Sequence, residues 1–512
     1  MFTDNPYETF HFGEWWDTLR ASFISFYFVI FILLLLLLYY LMPRRGRWPV
    51  LLAGSVLFYS LEGIRPLLTV VLSGVVVYLT GLMLELLGKE KRKYRRLVLF
   101  TGILTILSVL VFTKCYALAE WKFRYVVPLG ISYYTFSAVG YLADVYWGKE
   151  KAEKNVGKLL LFLLYFPKIL QGPIAKHRNL APRLEEGHVF CYRDFCFGIQ
   201  LAIWGYFKKI VIADRAAIFT SSVFADDTAF GGAVLLLGTV LAAVQLYCDF
   251  SGCMDIAAGI SQMFGIRLEK NFDHPFFAKS AAEFWRRWHI TLGTWFKDYV
   301  YMPLVISPGL IKFSGKIGKR FGKRAGKTIL TAVPLSIVWL LTGLWHGTGT
   351  DYLVWGAYWG LLIILSAIFT PEIRKLSRIL HIDTDRQGWK NFQMIRTFFL
   401  FCIGRLITIP GDLKITGRIF ARILTEHRLW QLVDGTLYAQ GLDWREFMLL
   451  LFVMGVLWFV SLQQRNGSIR ERAAEWNLIV RCAFYAGSLI VVMVFGIYGP
   501  GYETGTFAYM NY

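Results

Sequence analysis

Two histidines sit in surroundings where an ionisable side chain is costly. His289 follows Trp288 in EFWRRWHITLGTWFKDYVYMPL, and His346 follows Trp345 in SIVWLLTGLWHGTGTDYLVWG. At membrane depth such a group is retained mainly where it handles a substrate, an ion or a proton. Imidazole is also the side chain best suited to general-base chemistry near neutral pH. Gly343, Gly347 and Gly349 surround His346, and glycine leaves room for a backbone or a substrate to come close. In such a clearing a histidine can take the proton of an acceptor hydroxyl while that oxygen attacks an acyl carbonyl. The competing reading is packing: the glycines let helices approach, and the imidazole makes one structural hydrogen bond. The sequence favours chemistry at His346. At His289, 57 positions earlier, orienting or polarising a donor and a structural hydrogen bond stand nearly level.

Charges near these histidines extend the candidate site. Arg286 and Arg287 have the guanidinium geometry that grips phosphate, or they mark a cytoplasmic interface. Asp298 and Glu283 flank His289 from either side, and a helix through this stretch would put Glu283 too far along to sit beside the imidazole. Trp288 and Trp345 are candidate substrate contacts. Asp249 and Asp255, in QLYCDFSGCMDIAAGI, need partners, cations or water within an apolar span. An ion pair with Lys208, Lys209 or Arg215 is slightly preferred to a substrate role for them. No P-loop, dinucleotide fingerprint, HExxH or GxSxG is present, so a hydrolase nucleophile has no support. The cysteines (Cys115, Cys191, Cys196, Cys248, Cys253, Cys402 and Cys482) form no CxxC pair. This argues against a zinc ribbon or a disulfide scaffold and reads them as small buried hydrophobes. No metal and no bound cofactor are expected.

The elements that position these residues are membrane helices. Hydrophobic residues make up 56% of the 512-residue chain and the mean hydropathy is +0.48, above the range of soluble domains. Many apolar runs reach the ~20 residues that cross a bilayer. The net charge of +20 does not point to nucleic acid, because the cations gather in short stretches beside apolar segments, where they set orientation. Binding of anionic lipid head groups is a secondary consequence of that charge. Residues 1–20 carry four acids before one arginine, the reverse of a signal peptide, so the run 23–41 is expected to remain as an anchor.

Further spans are expected near 49–62, 66–87, 97–117 and 127–147, with basic groups at Arg44–Arg47, 89–96 and Lys149–Lys158 on the cytoplasmic side. Pro167, Pro173 and Pro182 make 159–185 a broken or re-entrant stretch. Spans follow near 192–212 and 231–264. Between Arg267 and Pro303 charges and aromatics alternate without a clean span, which predicts short, partly buried or interfacial helices. The stretch 312–327 holds seven Lys/Arg and no acid and is expected as a cytoplasmic loop. Later spans fall near 328–346, 352–370, 393–409, 446–463 and 478–498. The expected fold is therefore all-α, a polytopic integral membrane domain over 1–512 with ten to twelve membrane segments and both termini extracytoplasmic.

On these residues the chain resembles the membrane-bound O-acyltransferase (MBOAT) family, in its bacterial alginate O-acetylation branch. The resemblance rests on VPLGISYYTFSAVGYLADVYWG (127–148), FPKILQGPIAKHRNLAPRL (166–184), IWGYFKKIVIADRAA (203–217) and LYCDFSGCMDIAAGISQMFGI (246–266). It continues through NFDHPFFAKSAAEFWRRWHITLGTWFKDYVYMPL (271–304), LTGLWHG (341–347) and YGPGYETGTFAYMNY (498–512), and is firmest over 127–360. It implies a helical fold with a central tunnel and re-entrant segments. It also implies a cell-membrane acyltransferase with His346 catalytic and His289 as a second functional position. The donor would be acetyl-CoA or an acyl carrier, acting as substrate, and the acceptor an extracytoplasmic polysaccharide or cell-wall polymer. Several family members work with a separate extracytoplasmic SGNH-type acyltransferase, and some move D-alanine toward teichoic acids. VISPGL stands where the alginate branch has a Gly-rich turn, and CIGRLITIPGDL also departs from its pattern, so the resemblance singles out no one polymer. A transporter or flippase without catalysis would also use broken helices and intramembrane Asp and His, but the sequence contains no inverted repeat. A passive scaffold needs no intramembrane histidine and explains least.

Overall fold

A backbone that crosses lipid must satisfy its own hydrogen bonds, and long uncharged apolar runs therefore become helix. The computed structural model describes residues 23–116 and 127–498, and every regular element in them is helical. The run 23–41 expected as an anchor is described and forms a helix over Phe26–Leu41, whereas both termini and nearly all of the 498–512 motif lie outside the described residues. The chain divides into two compact units. The first comprises Met1–Gly172, Lys176–Cys196 and Ile260–Arg267; the second comprises Pro173–Ala175, Phe197–Gly259 and Leu268–Tyr512.

The first unit contains α1 (Phe26–Leu41), α2 (Arg47–Ser60), α3 (Ile64–Leu86), α4 (Arg92–Tyr116) and α5 (Ile131–Trp147). After them the prolines act as expected, cutting the chain into α6 (Val156–Leu164), α7 (Phe166–Ile169) and α8 (His177–Glu185). Asn155 starts α6 by accepting the N–H groups of Gly157 and Lys158. At the break, the Phe166 N–H is taken up by Ser55 Oγ at 3.2 Å. A buried His177–Glu150 contact of 2.9 Å ties down the start of α8.

Two long helices carry much of the second unit: α9 (Tyr192–Ala225) and α10 (Gly232–Met263). Midway along α9, residues Phe207–Ala213 widen into a π-turn, a local insertion that re-aims side chains. Here the Ile210 carbonyl accepts the Ile497 N–H at 2.9 Å. Lys208 reaches Asp255 at 2.8 Å, and Lys209 reaches Asp249 at 2.6 Å and Asp214 at 2.8 Å. The ion pairs favoured for Asp249 and Asp255 are thus formed. The lysines can reach because α9 and α10 cross at glycines. A Cβ on Gly205 would fall 2.6 Å from the Gly252 carbonyl oxygen, and one on Gly259 would fall 2.5 Å from that of Gly198.

Short elements follow, as the mixed composition predicts: α11 (Ala281–Arg287), α12 (Ile290–Phe296), a π-turn at Lys297–Tyr301, and α13 (Met302–Val305). The basic stretch expected as a loop is instead mostly helix, α14 (Pro308–Phe321). Its lysines and arginines are good helix formers, Ser307 caps its start, and Gly322 at φ 92° ends it. Its apolar residues Ile311, Phe313 and Phe321 are exposed, so α14 is an amphipathic basic helix. Then come α15 (Lys323–His346), α16 (Thr350–Ile379), α17 (Gln387–Thr408), α18 (Leu413–Thr425), α19 (Trp444–Gln464), α20 (Ile469–Ala474) and α21 (Leu478–Phe495).

Eight described helices are long and apolar enough to cross a membrane, fewer than the ten to twelve segments expected. Several apolar stretches form shorter elements, such as α1 with 16 residues and α2 with 14. The cysteines also differ from expectation: Cys248, Cys253 and Cys402 are buried, Cys196 is intermediate, and Cys115, Cys191 and Cys482 are exposed. Apolar sequence does not imply burial where a helix can face lipid. The chain is a multi-pass membrane protein.

The glycine crossing gives a stability prediction. Gly205→Leu should cost at least about 1–3 kcal/mol, the usual penalty of overpacking, and lower the thermal midpoint in detergent. Gly455→Leu, on α19 with nothing within 4 Å of a new Cβ, should leave the midpoint nearly unchanged. Equal midpoints for the two variants would mean that the crossing does not hold α9 against α10.

Candidate active site

His346 is the last residue of α15, where the helix stops because Gly347 turns to extended backbone while its N–H still reaches the Gly343 carbonyl at 3.1 Å. At about 1.5 Å per residue, the 24 residues of α15 carry His346 roughly 36 Å from the basic start of the helix. The imidazole is 5% exposed. It lies edge-on against Trp345 and Trp355, with ring centroids 4.7 and 4.9 Å away. The flanking glycines do not clear space for a substrate. A Cβ on Gly343 would meet the Tyr352 carbonyl oxygen at 2.5 Å, one on Gly347 would meet the Tyr352 ring at 2.2 Å, and one on Gly349 would meet Asp351 at 2.1 Å. They serve the packing reading: the hairpin of α15 and α16 closes on itself with backbones in contact, and this fixes where His346 points.

His346 lines a small, partly open cavity together with Leu246, Trp285, Trp288, Tyr352, Trp355, Phe401, Arg405 and Thr408. The wall is mostly aromatic, with a few polar groups converging on it, the usual make-up of a small-molecule site. The wall is rigid because its rings brace one another. Trp285 is edge-on to Trp339, Trp355 and Trp359, while Trp288 and Phe284 both meet Phe401.

His289 is built differently. Helix α11 ends at Arg287, and His289 adopts left-handed backbone geometry at φ 47°, uncommon for a residue with a Cβ. The turn is held from both sides. Ile290 N–H donates to the Asn271 carbonyl at 3.0 Å, and Asp273 N–H donates to the Arg287 carbonyl at 2.8 Å, beside an antiparallel bridge between Phe272 and Trp288. Asn271 Oδ1 accepts the Thr291 N–H at 3.1 Å and the Thr291 hydroxyl at 2.9 Å, and contacts His289 Nδ1 at 3.2 Å. The backbone N–H identifies the amide atom as oxygen. Nδ1 is therefore the donor in this contact. His289 is stacked edge-on against Phe250 at 4.8 Å and lies 5.8 Å from Trp345. Trp345 is thus a ring neighbour of both histidines.

The other sequence candidates are placed as follows. Trp288 and His346 share the cavity lining, whereas His289 and Trp345 are not among its lining residues. Arg287 pairs with Glu283 at 2.7 Å one turn back, Arg286 is exposed, and Asp298 is half-buried in the π-turn. Asp249 is engaged by Lys209. None of these four lines the cavity. Sequence reasoning missed Asn271, Trp285, Tyr352, Trp355, Phe401, Arg405 and Thr408. Trp285 was within reach, since it stands three residues before Trp288 in the same aromatic motif. A lone arginine in the apolar run around Arg405 was a further signal.

Known proteins resemble this chain over much of its length. The family model for membrane-bound O-acyltransferases matches residues 154–316, which include His289 and end before His346. A probable alginate O-acetylase AlgI of Pseudomonas fluorescens is 30% identical over 386 residues, covering 75% of this chain and 72% of that protein. A peptidoglycan O-acetyltransferase of Helicobacter pylori is 29% identical over 365 residues, 64% of this chain and 65% of the other. A teichoic acid D-alanyltransferase of Bacillus subtilis is 27% identical over 282 residues, 54% and 67% respectively.

If Asn271 fixes the His289 turn, Asn271→Ala should leave buried donors unmet and cost about 1–3 kcal/mol, seen as a lower thermal midpoint. Asn391→Ala, at an exposed position of α17, should not move the midpoint. Matching midpoints would remove Asn271 from the account.

Proposed function

The chain belongs to the membrane-bound O-acyltransferase family, and on that premise we propose that it moves an acetyl group from a cytoplasmic thioester donor toward an extracytoplasmic polysaccharide or cell-wall polymer. That it is a membrane O-acyltransferase follows from the family and from the named activities of its relatives. The donor, the polymer and the crossing of the membrane belong to the proposal. Acetyl-CoA or an acyl carrier fits as donor. A secreted SGNH-type acyltransferase fits as the partner that completes the transfer. In this reading the basic stretch that includes α14 faces the cytoplasm and both termini lie outside.

The observation that carries the reading is His346 at the end of a long apolar helix, lining an aromatic cavity with Arg405, Thr408 and Tyr352. There its imidazole takes the proton of the acceptor hydroxyl as that oxygen attacks the thioester carbonyl. The tetrahedral intermediate collapses, the carbon–sulfur bond breaks, and the thiolate leaves and regains a proton as the ester forms. His289, locked by Asn271, acts as a positioning residue that holds Trp345 and, through it, the His346 ring. Trp288 contacts substrate from the opposite wall. Arg286, Arg287 and Asp298 keep only the weaker roles of donor approach and interface placement. D-alanyl transfer toward a teichoic acid is the second reading, favoured by the Bacillus relative, and it differs in the donor.

His346→Ala should lower O-acylation by about 10²–10⁴-fold, the usual cost of a lost general base, while expression and membrane insertion stay near normal. His289→Ala should impair transfer less. Both are read as surface-glycan O-acyl content in cells matched for protein level. Wild-type acylation with His346→Ala would end the catalytic assignment.

A further inference from the structure

Arg405 is the cavity residue that acyl transfer, as derived above, leaves without a task. It sits on α17 directly after Gly404, where a Cβ would fall 2.9 Å from the Trp359 indole nitrogen, so the helix is pressed close against the aromatic wall. Its Nη1 donates to Thr408 Oγ1 at 3.1 Å, and both residues line the cavity with His346. Its Nε is buried with no hydrogen-bond partner, and among the described residues it makes no ion pair with a carboxylate. Arg405 is only partly exposed, and a guanidinium charge held partly out of water is favoured by a nearby counter-charge. The surrounding lining offers none: Leu246, Trp285, Trp288, Trp355 and Phe401 are apolar or aromatic. The edge of a guanidinium formed by Nε and one Nη pairs two oxygens of a carboxylate or phosphate in a single plane. An anion entering the cavity would meet this edge of Arg405.

We propose that Arg405 is the anion-binding residue of the His346 cavity, taking two oxygens of a phosphate or carboxylate carried by one of the reactants. The proposal rests on acyl transfer at His346 and adds a specificity determinant to it: at least one reactant carries an anionic group close to the reacting ester or thioester. Two sources share this chemistry, a phosphate on the arm of a thioester donor and the carboxylate of an acidic sugar acceptor.

Purified full-length protein in nanodiscs tests the assignment by equilibrium binding, with 4′-phosphopantetheine against pantetheine and methyl glucuronide against methyl glucoside. In one of the two pairs, the anionic member should bind at least about tenfold tighter than its neutral counterpart, the scale of one charge-assisted contact. Arg405→Gln should erase that preference and Arg405→Lys should keep part of it, while His346→Ala retains it. A preference in the first pair assigns the donor phosphate, and one in the second assigns the acceptor carboxylate. No preference in either pair, or a preference that survives Arg405→Gln, overturns the proposal. Binding needs no turnover, so this failure is separate from failure of the acyl-transfer reading, which depends on His346→Ala.

Discussion

Away from water every polar group must find its partner inside the protein, and that constraint organises the second unit. Its clearest expression is the side-chain carbonyl of Asn271, which takes the Thr291 N–H, the Thr291 hydroxyl and the His289 imidazole at one point. Without that acceptor, a histidine at φ 47° would hold a strained turn over buried, unmet donors. With it, the break between α11 and α12 is fixed, Trp288 is turned into the cavity wall, and His289 is held with Nδ1 toward Asn271. The same rule explains the Lys209 cluster, where one ammonium answers two carboxylates inside long apolar helices. Such pairs are weak evidence for stability but strongly resist the loss of one partner.

Close approach is the second organising feature, and glycine provides it at two crossings. On α9 and α10 it brings the lysines within reach of their acids. On α15 and α16 it lets Gly343 and Gly356 meet backbone to backbone, a Cβ on Gly356 falling 2.5 Å from the Trp339 carbonyl oxygen. The tight hairpin leaves the end of α15 little freedom, so His346 is presented to the cavity by the fold rather than by a flexible loop. A site built on packed helices is more precise than one built on loops.

Much of this was legible in the chain. Apolar runs, loop charges and prolines located most helices, and the cost of an intramembrane imidazole drew attention to His289 and His346. The motifs around them supplied the family. What could not be read was of two kinds. Asn271, Phe401 and Arg405 reach their neighbours only through folding, across separations that no local pattern encodes. The glycines beside His346 were ambiguous between space for substrate and space for a helix, and only the positions of Tyr352 and Asp351 decide for the helix. The basic stretch before α15 misled because charge density suggested a loop, although lysine and arginine are good helix formers and Ser307 with Pro308 marks a helix start.

The central claim is that acyl transfer takes place in the cavity lined by His346. The most direct measurement is a structure of the full-length protein bound to an acetyl thioester analogue whose sulfur is replaced by a methylene, which cannot transfer its acyl group. The account predicts the acetyl carbonyl among Trp285, Trp288 and Trp355, with a nitrogen of His346 close enough for a hydroxyl to bridge the two. An analogue bound with its acetyl group elsewhere, and with His346 sealed behind its tryptophans, would contradict it.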